Sequence, residues 1–199
     1  MEHLKLLGVA DNTIIIFSSD NGPVLDDGYQ DGAVTQLHGH TPLGPFRGGK
    51  YSSYEAGTRV PFIISWPKKI KPAVSAAMIS QMDLMASFAQ LLNKKLTSGD
   101  GPDSENMLNA LLGKSKKGRN ILVEQGLPSL AIVKDDWKYI APDNGNAMDT
   151  LTNIELGNNP LSQLYNLKND IGEKNNLAEK YPEKVKELVS FLLSVKNKK

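Results

Sequence analysis

The sequence predicts an α/β fold: an α/β sheet part over residues 1–115, then a small antiparallel α+β part over residues 119–199 with a closing C-terminal helix. Three observations carry this. Residues 13–18 (TIIIFS) and 60–66 (VPFIISW) are short apolar runs rich in isoleucine, and runs of that length bounded by turn residues suit strands buried on both faces of a parallel sheet. After residues 114–118 the texture changes to short strands around a tight turn. A last apolar-periodic run opens on Pro182, and proline is favoured in the first turn of a helix.

At the start, Leu4, Leu6 and Leu7 read as the end of an amphipathic helix closed by Gly8, where glycine accepts a left-handed backbone. Asp11-Asn12 turns the chain into the first strand. A helix end feeding straight into a strand is an unusual opening, and leads us to expect that the chain continues a longer fold. Residues 19–59 form a glycine-rich stretch of about 40 residues with little periodicity; a loop that long in a compact domain is usually functional or disordered. It leaves the carboxyl end of the first strand, where ligands bind in open α/β sheets. The second strand keeps Pro61 near its start and Pro67 at its end, places strands tolerate.

A helix follows. Ser80 is its predicted cap, with Asp83 three residues on as in a capping box, and Met85, Phe88, Ala89 and Leu92 recur at helical spacing as its core face. Residues 107–112 form a short helical piece and 114–118 a linker. Beyond it, 121–123 is a strand, and 130–133 and 137–140 pair around Lys134-Asp135-Asp136 as a hairpin. Residues 143–160 read as a polar loop and 164–167 as a further strand. Val185, Leu188, Val189 and Leu192 make the inner face of the closing helix.

Composition narrows function by exclusion. With 23 Lys+Arg against 22 Asp+Glu the formal net charge is +1, so no nucleic acid partner is expected. No apolar run approaches the ~18 residues of a membrane span, and because the first residues run directly into a helical pattern no secretory leader is expected among them. There is no cysteine, hence no disulfide framework, zinc-thiolate site or cysteine nucleophile.

The chemistry gathers in the long loop. Ser19-Asp20-Asn21-Gly22 follows the first strand directly. Asp20 and Asn21 offer a carboxylate and an amide oxygen, suited to Ca²⁺ or Mg²⁺, although Asp-Asn-Gly is equally a favoured turn. Lys50 is either a solvated loop lysine or a cation for an anionic group. His38 and His40, two of three histidines, are candidates for proton transfer to a leaving alkoxide or for loop packing; His40 is the nearer to Lys50. Asp26, Asp27 and Asp31 read as a solvated acidic loop. Glu55 and Arg59, four apart, can pair on a helical turn.

These pieces recur in order: Ser19-Asp20-Asn21-Gly22; Gly44-Pro45-Phe46-Arg47-Gly48-Gly49-Lys50; Glu55-Ala56-Gly57-Thr58-Arg59-Val60-Pro61; Trp66-Pro67; Met82-Asp83-Leu84; Asp136-Trp137-Lys138-Tyr139; Leu164-Tyr165-Asn166-Leu167; then Asp170, Glu173, Asn175-Asn176 and Leu177. The train resembles the C-terminal portion of the sulfatase (arylsulfatase-like) family, within the alkaline phosphatase superfamily, and covers nearly the whole chain. One departure is Ala56, where the family usually has glycine.

The resemblance implies an alkaline-phosphatase-like α/β domain and a sulfuric ester hydrolase acting on a sulfate ester, expected on a carbohydrate. It makes Asp20 and Asn21 two ligands of a divalent metal, usually Ca²⁺. It makes Lys50 the sulfate-contacting lysine, both catalytic and substrate-binding. We add His40 as a candidate catalytic acid and His38 as a candidate substrate contact. The family nucleophile is a formylglycine made within Cys/Ser-x-Pro-x-Arg, a motif this sequence lacks, as it lacks the early Asp-Asp pair that completes the metal site. The isolated chain is therefore expected to be inactive, to bind Ca²⁺ weakly, and to self-associate through an apolar face that the rest of such an enzyme would cover. The whole enzyme is expected to be periplasmic or secreted. Two alternatives stay open: a fragment of a phosphatase or phosphodiesterase of the same superfamily, and a free-standing binding module.

Overall fold

The computed structural model describes residues 1–196. Its contacts gather into two units that interleave along the sequence, residues 1–18 with 62–122 and residues 19–61 with 123–199. The sequence reading divides the chain in series near 115–119; here the long loop after the first strand belongs with the C-terminal part. Backbone bonds show why: Ser53 N–H donates to Leu156 O at 2.9 Å and Leu127 N–H to Tyr51 O at 2.8 Å.

In the first unit, α1 (Glu2–Leu6) ends at Gly8, whose φ of +69° is the left-handed cap expected there. A single 3₁₀ turn, Ala10–Asn12, leads into β1 (Ile15–Ser18). This strand pairs with β2 (Phe62–Ser65), and the pairing is antiparallel, Ile15 opposite Ser65 and Phe17 opposite Ile63. That corrects the expectation of a parallel sheet buried on both faces. Among the described residues β1 and β2 form a two-stranded ladder, so one face has no cover, and Phe17 and Ile63 stand 62% and 61% exposed. Continuous apolar runs signalled burial that this pair of strands does not itself provide.

α3 (Asp83–Leu91) lies where periodicity places it, but its predicted apolar stripe is not its buried side. Met85 and Leu92 are exposed, while Asp83 and Ser87 are buried. These polar groups face in because each is satisfied. Ser87 Oγ accepts Met107 N–H at 2.9 Å, at the start of α4 (Leu108–Leu111). Asp83 takes Ser80 N–H and Glu105 N–H, each at 2.9 Å, and the Arg119 guanidinium through two nitrogens at 2.8 and 2.5 Å. Its acid half of the capping box is thus made. Burial alone would raise the Asp83 carboxyl, yet Arg119 and the two amides hold it below the usual range. The linker expected at 114–118 ends on this anchor: Arg119 N–H donates to Met78 O at 2.8 Å.

The second unit contains α2 (Glu55–Thr58) and, apart from Ile121 and Leu122, a four-stranded sheet in the order β3 (Ile121–Gln125), β4 (Leu130–Lys134), β5 (Trp137–Ile140), β8 (Gln163–Asn166). β4–β5 and β5–β8 are antiparallel. The predicted hairpin is present, Lys134 opposite Trp137, with Asp135 at φ +54° in its turn, a conformation Asp tolerates. The stretch 143–160 is more than a polar loop. It carries the small hairpin β6 (Met148–Asp149) and β7 (Ile154–Glu155), and buries Leu156 and Asn158. α5 (Pro182–Lys196) packs on β4 and β5. Leu188 and Leu192 are buried and Val185 and Val189 half-buried, as their spacing predicts. Each such leucine contributes about 1.5–3 kcal/mol.

Candidate functional site

The site grows from the turn after β1. Ser19 Oγ donates to Asn21 O and Asn21 Nδ2 to Gly22 O, both at 2.9 Å. Gly22 N–H donates to Gly57 O at 2.9 Å. At Gly22 only glycine fits, since a Cβ there would lie 1.6 Å from the carbonyl oxygen of Ala56. That contact presses the Asp20–Gly22 turn onto α2. Next to it, Lys50 N–H donates to Pro23 O at 2.9 Å, and a Cβ on Gly49 would approach the same oxygen to 2.9 Å. Two segments some thirty residues apart in sequence are thereby laid side by side, one carrying Asp20 and Asn21 and the other Lys50. The Lys50 ammonium lies 5.2 Å from the ring centre of Tyr51.

Asp20 is exposed and Asn21 half-buried. Because Asn21 spends its Nδ2 on Gly22 O, its Oδ1 remains an oxygen donor beside a carboxylate, a pair that suits a hard cation. No group of three or more His, Cys, Asp or Glu side chains gathers as a metal shell among the described residues, and Asp20 with Asn21 falls short of the about six to eight oxygens that Ca²⁺ takes. His38 and His40 are exposed. His38 has φ +48°, and no hydrogen bond or ion pair among the described residues joins either histidine to Asp20, Asn21 or Lys50.

A cleft of about 690 Å³ opens beside these segments, lined by Pro23, Phe46, Arg47, Thr152, Glu155 and Lys174 among others. Arg47 pairs with Glu155 and donates to Glu173 O at 2.7 Å. The Thr152 hydroxyl is buried without a hydrogen bond among the described residues.

Beneath the loop lies a group that sequence reasoning missed. Lys138, on β5, is fully buried, with its ammonium 2.9 Å from Glu55, 3.1 Å from Glu124 and 3.7 Å from Glu173. Glu55 also pairs with Arg59, the helical-turn pair its spacing predicts, and its amide donates to Glu173 Oε2 at 2.6 Å. Burial opposes charge on Glu55, but Lys138 and Arg59 outweigh it and lower its pKa. Glu173 is less well served, and burial pushes it up to about 7. The one signal was a lysine set between Trp137 and Tyr139 in an otherwise apolar strand.

Comparison with known proteins places this geometry. The sulfatase family profile matches residues 1–94. An N-acetylgalactosamine-6-O-sulfatase of Bacteroides thetaiotaomicron is 53% identical over 199 residues, all of this chain and 39% of the relative. A solved structure from work on that bacterium's metabolism of multiple glycosaminoglycans superposes with a TM-score of 0.96 at 53% identity, covering 100% of this chain and 42% of the other. The structure of Ps i-CgsB in complex with k-i-k-neocarrahexaose superposes with a TM-score of 0.71 at 26% identity, covering 97% of this chain and 38% of the other. The chain thus spans about two fifths of the length of these relatives.

Proposed function

This chain belongs to the sulfatase family, and on that premise we propose that it supplies the Asp20–Lys50 side of the active site of an enzyme that hydrolyses sulfate esters on a sulfated glycan. The observation that supports the reading is the Lys50 N–H to Pro23 O bond beside the Gly22 contact with α2, which lays the Lys50 turn along the segment that follows Asp20 and Asn21.

In this reading Lys50 binds the sulfate group and stabilises negative charge on its oxygens as the S–O bond breaks. Asp20 and Asn21 would hold part of the shell of a Ca²⁺ ion, which would supply Lewis-acid polarisation of the sulfate. His40 donates a proton to the leaving alkoxide and His38 contacts the substrate, both carried by the exposed loop. The cleft between Phe46 and Lys174 receives the sugar beside the sulfate. The formylglycine nucleophile has no motif in this sequence and must come from residues outside it. The N-acetylgalactosamine-6-O-sulfatase that is 53% identical makes 6-sulfated N-acetylgalactosamine the first substrate to try.

The test is the enzyme expressed from its complete reading frame, assayed on 6-sulfated N-acetylgalactosamine and on the matching phosphate ester. Lys50→Ala should lower kcat/KM on the sulfate ester by two to three orders of magnitude, about 3–4 kcal/mol of lost charge stabilisation. His40→Asn should slow poor leaving groups more than aryl ones. Preference for the phosphate ester, or a Lys50→Ala enzyme with full activity, would sink the reading.

A further inference from the structure

The buried cluster around Lys138 does more than fill the core. Its members come from both ends of the second unit: Glu55 from α2, Lys138 from β5, Glu124 from β3 and Glu173 from the turn after β8. The elements it joins also hold the loop. Ala56 N–H donates to Arg47 O at 2.9 Å. A Cβ on Gly57 would lie 2.1 Å from Ser52 O and 2.8 Å from Gly49 O. Lys50 therefore sits in a tight turn pressed against α2, and α2 is fixed at its first residue by the Glu55 N–H to Glu173 Oε2 bond.

The charges do not balance. Lys138 and the half-exposed Arg59 face three carboxylates, Glu55, Glu124 and Glu173. Arg47 reaches Glu173 only at its carbonyl oxygen and pairs with Glu155. The hydroxyls of Tyr54 and Tyr165 both donate to Gln163 Oε1 at 2.9 Å. One negative charge is left over in a buried place. The orphan oxygens show where: Glu173 Oε1 is buried with no hydrogen bond, and Glu124 Oε2, though 3.1 Å from the ammonium, lacks hydrogen-bond geometry. A buried carboxylate oxygen without a donor is costly, and a proton on it cancels the surplus charge.

We propose that Glu173, in its protonated form, and Lys138 are positioning residues that latch α2, and through it the turn bearing Lys50, onto the C-terminal sheet, and that loss of the Glu173 proton to solvent loosens the latch. The functional meaning rests on the reading of Lys50 given above; the latch itself does not. The sign follows from burial, which raises the Glu173 carboxyl to about 7, against about 4.3 for an unperturbed glutamate. Closing takes up a proton between those values, so the latch is tightest at low pH and is lost as pH rises towards 7.

Hydrogen exchange of the chain, corrected for intrinsic rates, tests this without substrate. Protection of the Glu55 and Lys50 amides should fall about tenfold per pH unit from pH 5 to 7 and level off above it. Amides of α5 near Leu188 serve as the reference. Glu173→Gln should flatten the slope for both amides, and Glu124→Gln, which removes a neighbouring negative charge, should move the upper end of the slope to lower pH. A flat profile in the unmodified chain overturns the proposal. So does a slope that survives Glu173→Gln, or a Glu55 slope that Lys50 does not share. Full activity of the Lys50→Ala enzyme would instead overturn the functional reading and leave the exchange result standing.

Discussion

Replacing Lys138 by methionine keeps most of the stem and removes the ammonium. The structure sets the size of the effect. The group is fully buried, and its contacts at 2.9, 3.1 and 3.7 Å are all carboxylates. Glu55 would keep Arg59, whereas Glu124 and Glu173 would lose the one cation the structure gives them. Removing one partner of a buried pair costs about 3–5 kcal/mol, a large share of the 5–15 kcal/mol that ordinarily holds a domain. The stranded carboxyls can recover part of it by taking up protons, so the loss should be near its full value at pH 8 and smaller at pH 5.5. Urea denaturation followed by tryptophan fluorescence measures this. Trp137 neighbours Lys138 in β5 and packs edge-on against Tyr181 at 5.3 Å, so it reports the second unit. A loss under 1 kcal/mol at pH 8, or one that does not shrink on acidification, would show that the carboxylates do not depend on Lys138.

Arg119→Met should destabilise the first unit by about 3 kcal/mol, the lower end of the range for a broken buried pair, because Asp83 keeps two amide donors. Asp83 is held low in the folded state, so its stabilising contribution is present at neutral pH and lost on acidification; in Arg119→Met that acid-side loss should move to higher pH. Gly22→Ala drives a Cβ into Ala56 O, and should expose Lys50 to trypsin while leaving α5 resistant; unchanged cleavage would refute the packing of that turn. Calorimetric titration of the purified chain should give Ca²⁺ binding no tighter than millimolar, and the same sample should release no sulfate from an aryl sulfate. A sub-micromolar site abolished by Asp20→Ala would mean that this chain holds a complete shell. Self-association is expected through the uncovered β1–β2 face, and Phe17→Lys should reduce it in sedimentation.

What could be read in advance was the position of elements, less so their partners. The spacing in α5 named Leu188 and Leu192 because nothing but the sheet competes for that face. The same rule held only in part on α3, where Met85 and Leu92 point outward, Phe88 and Ala89 are half-buried, and Asp83 and Ser87 point in. Periodicity weighs hydrophobicity and cannot see that Arg119, thirty-six residues on, satisfies the aspartate. Alternation along β5 separates Lys138 from Tyr139 but does not say that three glutamates wait on the lysine's side. Glu55, Lys138 and Glu173 were each within the family resemblance, yet their meeting is a matter of fold. The Asp20, Asn21 and Lys50 loop stands out in the sequence as a candidate because glycine density and length mark it. The close approach of Gly22 to Ala56 O does not, since only the folded backbone shows what a side chain there would strike.

The interleaving of the two units bears on how the chain acquires its structure. Residues 19–61 leave the ribosome early, but their contacts lie with residues 123–199. Until β5, β7 and the turn after β8 have been made, the Lys50 loop lacks the partners it settles on and Glu55 has neither Lys138 nor Glu173 to meet. Such long-range closure is paid in chain entropy before any contact rewards it. The loop should thus be among the last parts to order during synthesis. Between the two events the chain carries an unsatisfied, glycine-rich segment, the kind of intermediate that a holding chaperone or a slow translation tempo protects.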